Sequence, residues 1–504
     1  MLFHSAEFLI AFLPAVFAVY LLLAHLNYRQ GIIIWLTVAS LAFYGWGAPQ
    51  WLALITGSIL ANFIIGRIVC PTCHKLPNRL RYAIVIAGIG ANLLVLAHFK
   101  YGGFLIENLN RLFRTDWAQG ETTLPLALSF FTFTQIAYLV DTYRGETKRY
   151  TLLDYSFFVT FFPHLIAGPV VQHKEIMPQL EKDGAFRVRW DNLQVGLGIF
   201  GVGLFKKLVL GDGSGEYVSP FFQAAANGDW VSTPQAWIGV LAYTFQIYFD
   251  FSGYSDMAIG LSRLFGIQLP LNFNSPYRST SIIEFWRRWH ISLSRFLRNY
   301  LYIPLGGNQR GTGTQYANLI ITMVLGGLWH GAAWNFVIWG LLHGIFLVIN
   351  HGFRSLVRTF SLENYVDNHI GKATGWAVTM LAVISGWVFF RAPDLPSAQR
   401  IFAMLFRDAQ QSSLGPSLYP EASPILWLCS MLIVCLTLPN TQEYFANYHP
   451  ALDATMEVSP RGHVPLRIAW SPKFRHGLLV GLLIFLGMQR VFQGAPSEFL
   501  YFNF

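Results

Sequence analysis

The chain has 504 residues, 54% of them hydrophobic, 16% aromatic and only 12% charged, with a formal net charge of +9. Soluble globular chains carry roughly 25% charge, so half that value with a positive mean hydropathy excludes an ordinary soluble domain and points to an all-α polytopic membrane protein. The positive surplus fits basic cytoplasmic loops facing anionic lipid, and nothing in the composition suggests a nucleic-acid-binding domain.

The first apolar run is Phe8 to Leu26, interrupted by Pro14. It lacks a preceding basic region and a following small-residue cleavage site, so it reads as a retained span. Runs follow at Ile32–Ala48, Trp51–Ile68 and Tyr82–Phe99, each approaching the roughly 20 residues a spanning helix needs. Arg29 and the basic cluster Arg67, Lys75, Arg79 and Arg81 mark cytoplasmic loops, which puts the N-terminus outside. Residues 100–122, mixed in charge, read as external.

Cys70-Pro-Thr-Cys73-His74 has the spacing of a haem c attachment motif, a redox pair or half a zinc site. It lies on the expected cytoplasmic side, whereas haem c is attached on the other. No second closely spaced cysteine pair completes a zinc site, and Cys429 and Cys435 fall in an apolar run as packing residues. No cofactor role is assigned to the motif.

Leu124–Val140 is the next span and ends in the charged stretch Asp141–Arg149. In Tyr155–Val171 the sequence Phe162-Pro-His164-Leu-Ile-Ala-Gly168-Pro169 predicts a re-entrant or sharply kinked segment, because two prolines and a glycine break a helix. Leu193–Leu210 carries Lys206 and Lys207 near its end, and Trp237–Phe251 leads into Asp250-Phe-Ser-Gly-Tyr-Ser-Asp256. Residues 277–310 hold six arginines against one acid, Glu284, interleaved with aromatic rings. That composition suits helices lying at the cytoplasmic interface. Trp376–Phe390, Ile425–Leu438 and Leu478–Val491 complete about eleven or twelve hydrophobic elements. The whole chain, 1–504, reads as one integral membrane domain, with a core about 100–350 and C-terminal helices about 370–492.

One run, Leu319–Leu347, contains no Lys, Arg, Asp or Glu, yet it holds Gly326-Gly-Leu-Trp-His330-Gly and, thirteen positions on, His343. A titratable group in such a run is a functional-site hypothesis by default, and histidine suits proton transfer near neutral pH. The bland alternative is a histidine bonding a backbone carbonyl. The run accommodates two helices only if it breaks at the glycines. On the second, His343 would share a face with Trp339 and Asn335, as a packing group. The arginines have a lipid-headgroup reading and a phosphate-binding one, since guanidinium matches phosphate bidentately. No phosphate-binding P-loop, metal-spaced ligand set or serine nucleophile elbow appears.

Phe285-Trp-Arg-Arg-Trp-His290, followed forty positions later by Gly-Gly-Leu-Trp-His330-Gly, is a specific pairing. It resembles the membrane-bound O-acyltransferases, closest to the bacterial branch of the alginate O-acetylation membrane subunit and more distantly the teichoic acid D-alanyl transfer protein. Leu124–Gly145, Phe162–Val170, Tyr248–Gly260, Asn272–Tyr277 and Tyr300–Gly307 carry the resemblance too. It implies a ring of helices around a thinned centre with a tunnel, His330 as the catalytic histidine and His290 as a second functional one. It also implies acetyl-CoA or another acyl thioester as donor, with Arg287, Arg288, Arg295, Arg298, Lys206 and Lys207 as candidates to hold its phosphates. A polysaccharide acceptor, a periplasmic serine-type acetyltransferase partner and the bacterial inner membrane follow from the same resemblance. Asn299 stands where the bacterial pattern has Asp. The rival from another class is a transporter with a polar midplane site.

Overall fold

The computed structural model describes residues 1–73, 75–118, 123–182, 184–407, 418–419, 423–452, 469–494 and 500. His74 of the cysteine motif lies outside them. Every regular element among the described residues is a helix, and an isolated bridge joins Pro270 and Leu452. Hydrocarbon offers backbone amides no partner, and a helix satisfies them within one segment.

Among the described residues, eight helical stretches are long and apolar enough to cross a membrane: Phe8–His25, Arg29–Gly47, Pro49–Val69, Asn78–Phe113, Trp190–Asn227, Trp334–Thr359, His369–Arg391 and Phe474–Phe492. Ser423–Thr437 is a shorter apolar helix. The remaining expected hydrophobic elements become helices that are short or carry polar groups, among them Leu128–Arg144, Thr233–Leu264 and Thr312–His330. Large apolar side chains stay uncovered on the long helices, with Leu94 71%, Ile370 78% and Phe474 85% exposed. That suits a lipid surround, where outward-facing apolar groups cost nothing.

Of the stretch 100–122, residues 119–122 lie outside the described residues and much of the rest is helical. A π-turn, Ala97–Tyr101, carries the preceding helix into Gly102–Phe113. Glu107 and Arg111 form an ion pair one turn apart at 2.7 Å, while Leu105, Leu109 and Leu112 stay exposed. The mixed charge is that of an amphipathic helix, with a polar stripe beside an apolar one.

The described residues cluster into two compact units of interleaved segments. The first comprises Met1–Leu204, Tyr254–Leu271 and Thr441–Pro496. Its helices Leu52–Val69 and Asn78–Leu96 are joined by a reciprocal amide pair, Asn62 with Asn92, at 3.1 and 2.7 Å. Its predicted break is present. Leu152–Thr160 stops at Phe161, the four-residue helix Phe162–Leu165 follows, and irregular chain runs on to His173. Every residue from 157 to 173 is buried, and the Phe162 N–H donates to Ser40 Oγ at 3.0 Å. This irregular backbone is therefore shielded by protein, as membrane depth requires.

The second unit comprises Phe205–Gly253, Asn272–Asn440 and Ser497–Phe504. It contains both candidate histidines and all six candidate cations.

Candidate active site

The Leu319–Leu347 run breaks where the glycines predict. Thr312–His330 ends at the histidine, Gly331 is extended, and Trp334–Thr359 begins after Ala333. The two helices pack at backbone contact. A Cβ on Gly327 would stand 2.1 Å from the Phe336 carbonyl oxygen, and one on Gly340 would stand 2.3 Å from that of Met323. The glycine-rich motif is thus built for close helix packing, and this contact fixes His330 at a helix end.

His330 is 4% exposed. Its ring meets Trp339 edge-on, 5.2 Å between centroids, and Phe390 and Trp329 lie 5.2 and 4.9 Å away.

His290 is fully buried and reaches the site by a different route. Ser281 caps the helix Ile282–Arg288, its Oγ accepting from the Glu284 N–H at 3.2 Å. The chain then turns sharply: His290 takes φ 44° and ψ 52° before the helix Ile291–Leu297. A left-handed non-glycine residue costs about 1–2 kcal/mol and persists where its surroundings over-determine it. Asn272 does so here. Its carbonyl accepts from the Ile291 N–H at 3.0 Å, and its Oδ1 accepts from Ser292 Oγ at 2.8 Å.

Asn272 also sets the imidazole tautomer. The Ser292 N–H donates to Oδ1 at 3.4 Å, so that atom is an acceptor. His290 Nδ1, 3.1 Å from the same oxygen, therefore carries the proton, and Nε2 carries the lone pair. Phe251 stands perpendicular to the ring at 4.7 Å.

The rings of His290 and His330 lie 6.4 Å apart, centroid to centroid. That is too far for a direct hydrogen bond between ring nitrogens, yet near enough for one interposed oxygen to touch both. His343 shares the buried face of Trp334–Thr359 with Asn335 and Trp339, as expected. Trp339 lies against both His330 and His343, at 5.2 and 4.9 Å, and Trp286 packs on His343 at 5.2 Å.

The candidate cations fare unequally. Arg287 and Arg298 are exposed, and Arg295 is half-buried. Arg288 spends its guanidinium on Glu284 Oε1 at 3.0 Å and on the Asn274 carbonyl at 3.1 Å. Lys206 is half-buried, its ammonium 5.7 Å from the Tyr248 ring centroid. Lys207 differs most from the sequence expectation. Its side chain is fully buried between two carboxylates, Asp250 at 2.5 Å and Asp212 at 2.7 Å. It sits in a π-helical stretch, Lys206–Gly211. The wider π turn brings residues five apart, Lys207 and Asp212, onto one face. Its charge is committed to those acids, so in this structure it is not presented to a phosphate.

Sequence reasoning assigned no role to Asn272, Phe251 or Phe390. Asn272 falls in a stretch that carries the family resemblance, but no spacing ties it to His290. Asp250, an acid at the end of an apolar run, was the legible sign of a buried ion pair.

A model of the MBOAT, membrane-bound O-acyltransferase family matches residues 114–385. The chain is 36% identical over 549 aligned positions to a peptidoglycan O-acetyltransferase of Helicobacter pylori, covering 100% of this chain and 98% of the relative. It is 37% identical over 516 positions to the probable alginate O-acetylase AlgI of Pseudomonas putida, with both chains covered in full (100%). A teichoic acid D-alanyltransferase of Streptococcus thermophilus is 30% identical over 283 positions, 53% of this chain and 68% of the relative.

Proposed function

The chain belongs to the membrane-bound O-acyltransferase family, and from that premise we propose that it moves an acetyl group from a cytoplasmic thioester, acetyl-CoA, toward O-acetylation of an extracytoplasmic polysaccharide. It is a multi-pass membrane enzyme, an acyltransferase. The inner membrane as its location, and a periplasmic serine-type acetyltransferase that finishes the transfer, belong to the proposal. The relatives' names supply the acceptor class: alginate, peptidoglycan or another cell-surface polymer.

The observation that carries the reading is the convergence of His290 and His330, forty positions apart in sequence, with ring centroids 6.4 Å apart in a buried site. In the proposed step, His330 takes the proton of an acceptor hydroxyl, and that oxygen bonds to the thioester carbonyl carbon. The carbon–sulfur bond then breaks, and the departing thiolate recovers the proton from His330. His290, its tautomer set by Asn272, orients the reacting oxygen with Nε2. Burial of both rings keeps water from hydrolysing the thioester. Arg287, Arg295 and Arg298, with Lys206, are the cations proposed to hold the donor's phosphates. Lys207 and Arg288 are withdrawn from that role, since their charges are already engaged.

The test uses purified protein in nanodiscs with acetyl-labelled acetyl-CoA, with and without the periplasmic fraction of its host. Wild type is compared with His330→Ala, and CoA binding is measured for both. The reading holds if both bind CoA and only wild type moves label to protein or glycan. It fails if His330→Ala transfers at the wild-type rate, or if wild type neither binds CoA nor transfers label.

A further inference from the structure

Cys70-Pro71-Thr72-Cys73 follows directly on the Pro49–Val69 span and belongs to the first unit, whereas the paired histidines belong to the second. Both sulfurs are free thiols. Cys73 Sγ–H donates to Cys70 Sγ at 2.7 Å, and Cys70 Sγ lies 3.2 Å from Thr72 Oγ1. The backbone arranges this meeting. The Cys70 N–H closes the helix on the Gly66 carbonyl at 3.0 Å, and the Cys73 N–H turns back to the Cys70 carbonyl at 3.2 Å.

The turn is braced from outside. Arg149 donates to the Thr72 carbonyl at 2.5 Å, and Arg81 donates to the carbonyls of Val69 and Tyr143, both at 2.8 Å. A held turn keeps the sulfurs opposed, so a bond between them needs only a small side-chain rotation.

The two thiols are unequal. Cys70 is buried at 4% exposure, while Cys73 is half-buried. Burial pushes the Cys70 thiol up, but hydrogen bonds from Cys73, Thr72 and the turn's backbone outweigh it and hold the thiol below its ordinary value. Burial and the hydrogen bond to Cys70 push Cys73 up, against the pull of Arg149 and Arg67. A stabilised thiolate opposed to a more open thiol, in a Cys-x-x-Cys turn among arginines, is the arrangement of dithiols that exchange with disulfides. Cys435, by contrast, is buried in an apolar helix, with its thiol among packing groups.

We propose that Cys70 and Cys73 form a redox-active dithiol that exchanges with a small-molecule disulfide. Cys73, the open sulfur, passes its proton to the Cys70 thiolate along the hydrogen bond between them and, now itself a thiolate, attacks one sulfur of the external disulfide; the thiolate it expels takes that proton back from Cys70. The Cys70 thiolate then attacks the Cys73 sulfur of the mixed disulfide and expels the second thiolate, which takes up the proton that Cys70 released to solvent when it ionised. Two protein thiols are oxidised to one disulfide, and one external disulfide is reduced to two thiols.

The full-length protein in nanodiscs is titrated across ratios of reduced to oxidised glutathione, acid-quenched and labelled with a maleimide mass tag. Peptide mass spectrometry locates the modified cysteines. Expected is the joint loss of two tags in one two-electron transition, with an intrachain disulfide in the peptide containing Cys70 and Cys73. Cys73→Ser in the same titration loses that transition and yields at most a glutathione adduct. An unchanged thiol count across the range overturns the proposal, as do glutathione adducts without an intrachain bond. Zinc that protects both thiols of the reduced protein, with no disulfide at any ratio, assigns a metal site instead and also overturns it. The wild-type titration decides the matter even if the variant folds poorly.

Discussion

Two stretches of this protein share one sequence grammar and use it differently. Residues 157–173 and residues 326–334 each interrupt an apolar run with glycine or proline, and each buries a histidine at the break. In the first, His164 is 4% exposed, its neighbours include the rings of Phe161 and Phe158 at 5.9 and 6.5 Å, and its Nε2 finds no hydrogen-bond partner among the described residues. In the second, His330 meets a second histidine whose tautomer a carboxamide sets. A broken helix with a buried histidine is therefore weak evidence of chemistry on its own. A second titratable ring, brought from another part of the chain and oriented, is what separates the two stretches.

The largest expected effect breaks that contrast at its centre. His330→Ala should lower acetyl transfer roughly 10²- to 10⁴-fold, the usual worth of a proton-transferring group, while CoA binding by equilibrium dialysis stays near wild type. Lys207→Met comes next and acts on folding. It leaves the buried Asp250 and the half-buried Asp212 without their cation, at a cost of about 3–5 kcal/mol, and should sharply lower the thermal midpoint in detergent. Lys206→Met, which gives up a contact with the Tyr248 ring from a half-buried position, should cost less, about 1 kcal/mol. A midpoint for Lys207→Met equal to that of Lys206→Met would show that the buried charges do not hold this unit.

Gly340→Ala forces a methyl against the Met323 carbonyl and should destabilise by about 1–3 kcal/mol. Because the same contact fixes the helix end, transfer should fall as well. Full activity in a destabilised Gly340→Ala would separate the glycine packing from the placement of His330. Arg298→Ala is milder. It should raise the KM for acetyl-CoA about threefold to tenfold with kcat unchanged, and the difference should shrink as salt rises.

The smallest effect sharpens the contrast from the other side. His164→Asn should keep transfer above one-tenth of wild type, short of the roughly 100-fold minimum loss of a proton-transfer residue. A larger loss without loss of folded protein would make the first break functional too.

Much of the fold could be read from composition and punctuation. Hydrophobic run length reports directly on spanning, and Pro163, Pro169 and the glycines at 326, 327 and 331 report on breaks, because both signals are local. Residues 100–122 show the limit of such local signals: mixed charge does not by itself reveal an amphipathic helix unless its period is counted. Of the site, His330 announced itself as an ionisable group in a charge-free run. Asn272 did not, since its bond to His290 spans eighteen positions and a left-handed turn. Nor could sequence separate Lys206 from Lys207. Adjacent lysines look alike until a π turn sends one between two carboxylates and leaves the other against a ring.

By itself, then, the sequence determined that the chain is helical and membrane-embedded, where its helices break, and which histidines lie in a charge-free apolar run. These follow from the price of burying backbone and charge in hydrocarbon, which acts residue by residue. Only the tertiary structure decided which polar groups meet: His290 with His330, Asn272 with His290, Lys207 with Asp250. Those meetings depend on helix register and close packing over long sequence separations, where a shift of one residue turns a side chain to another face.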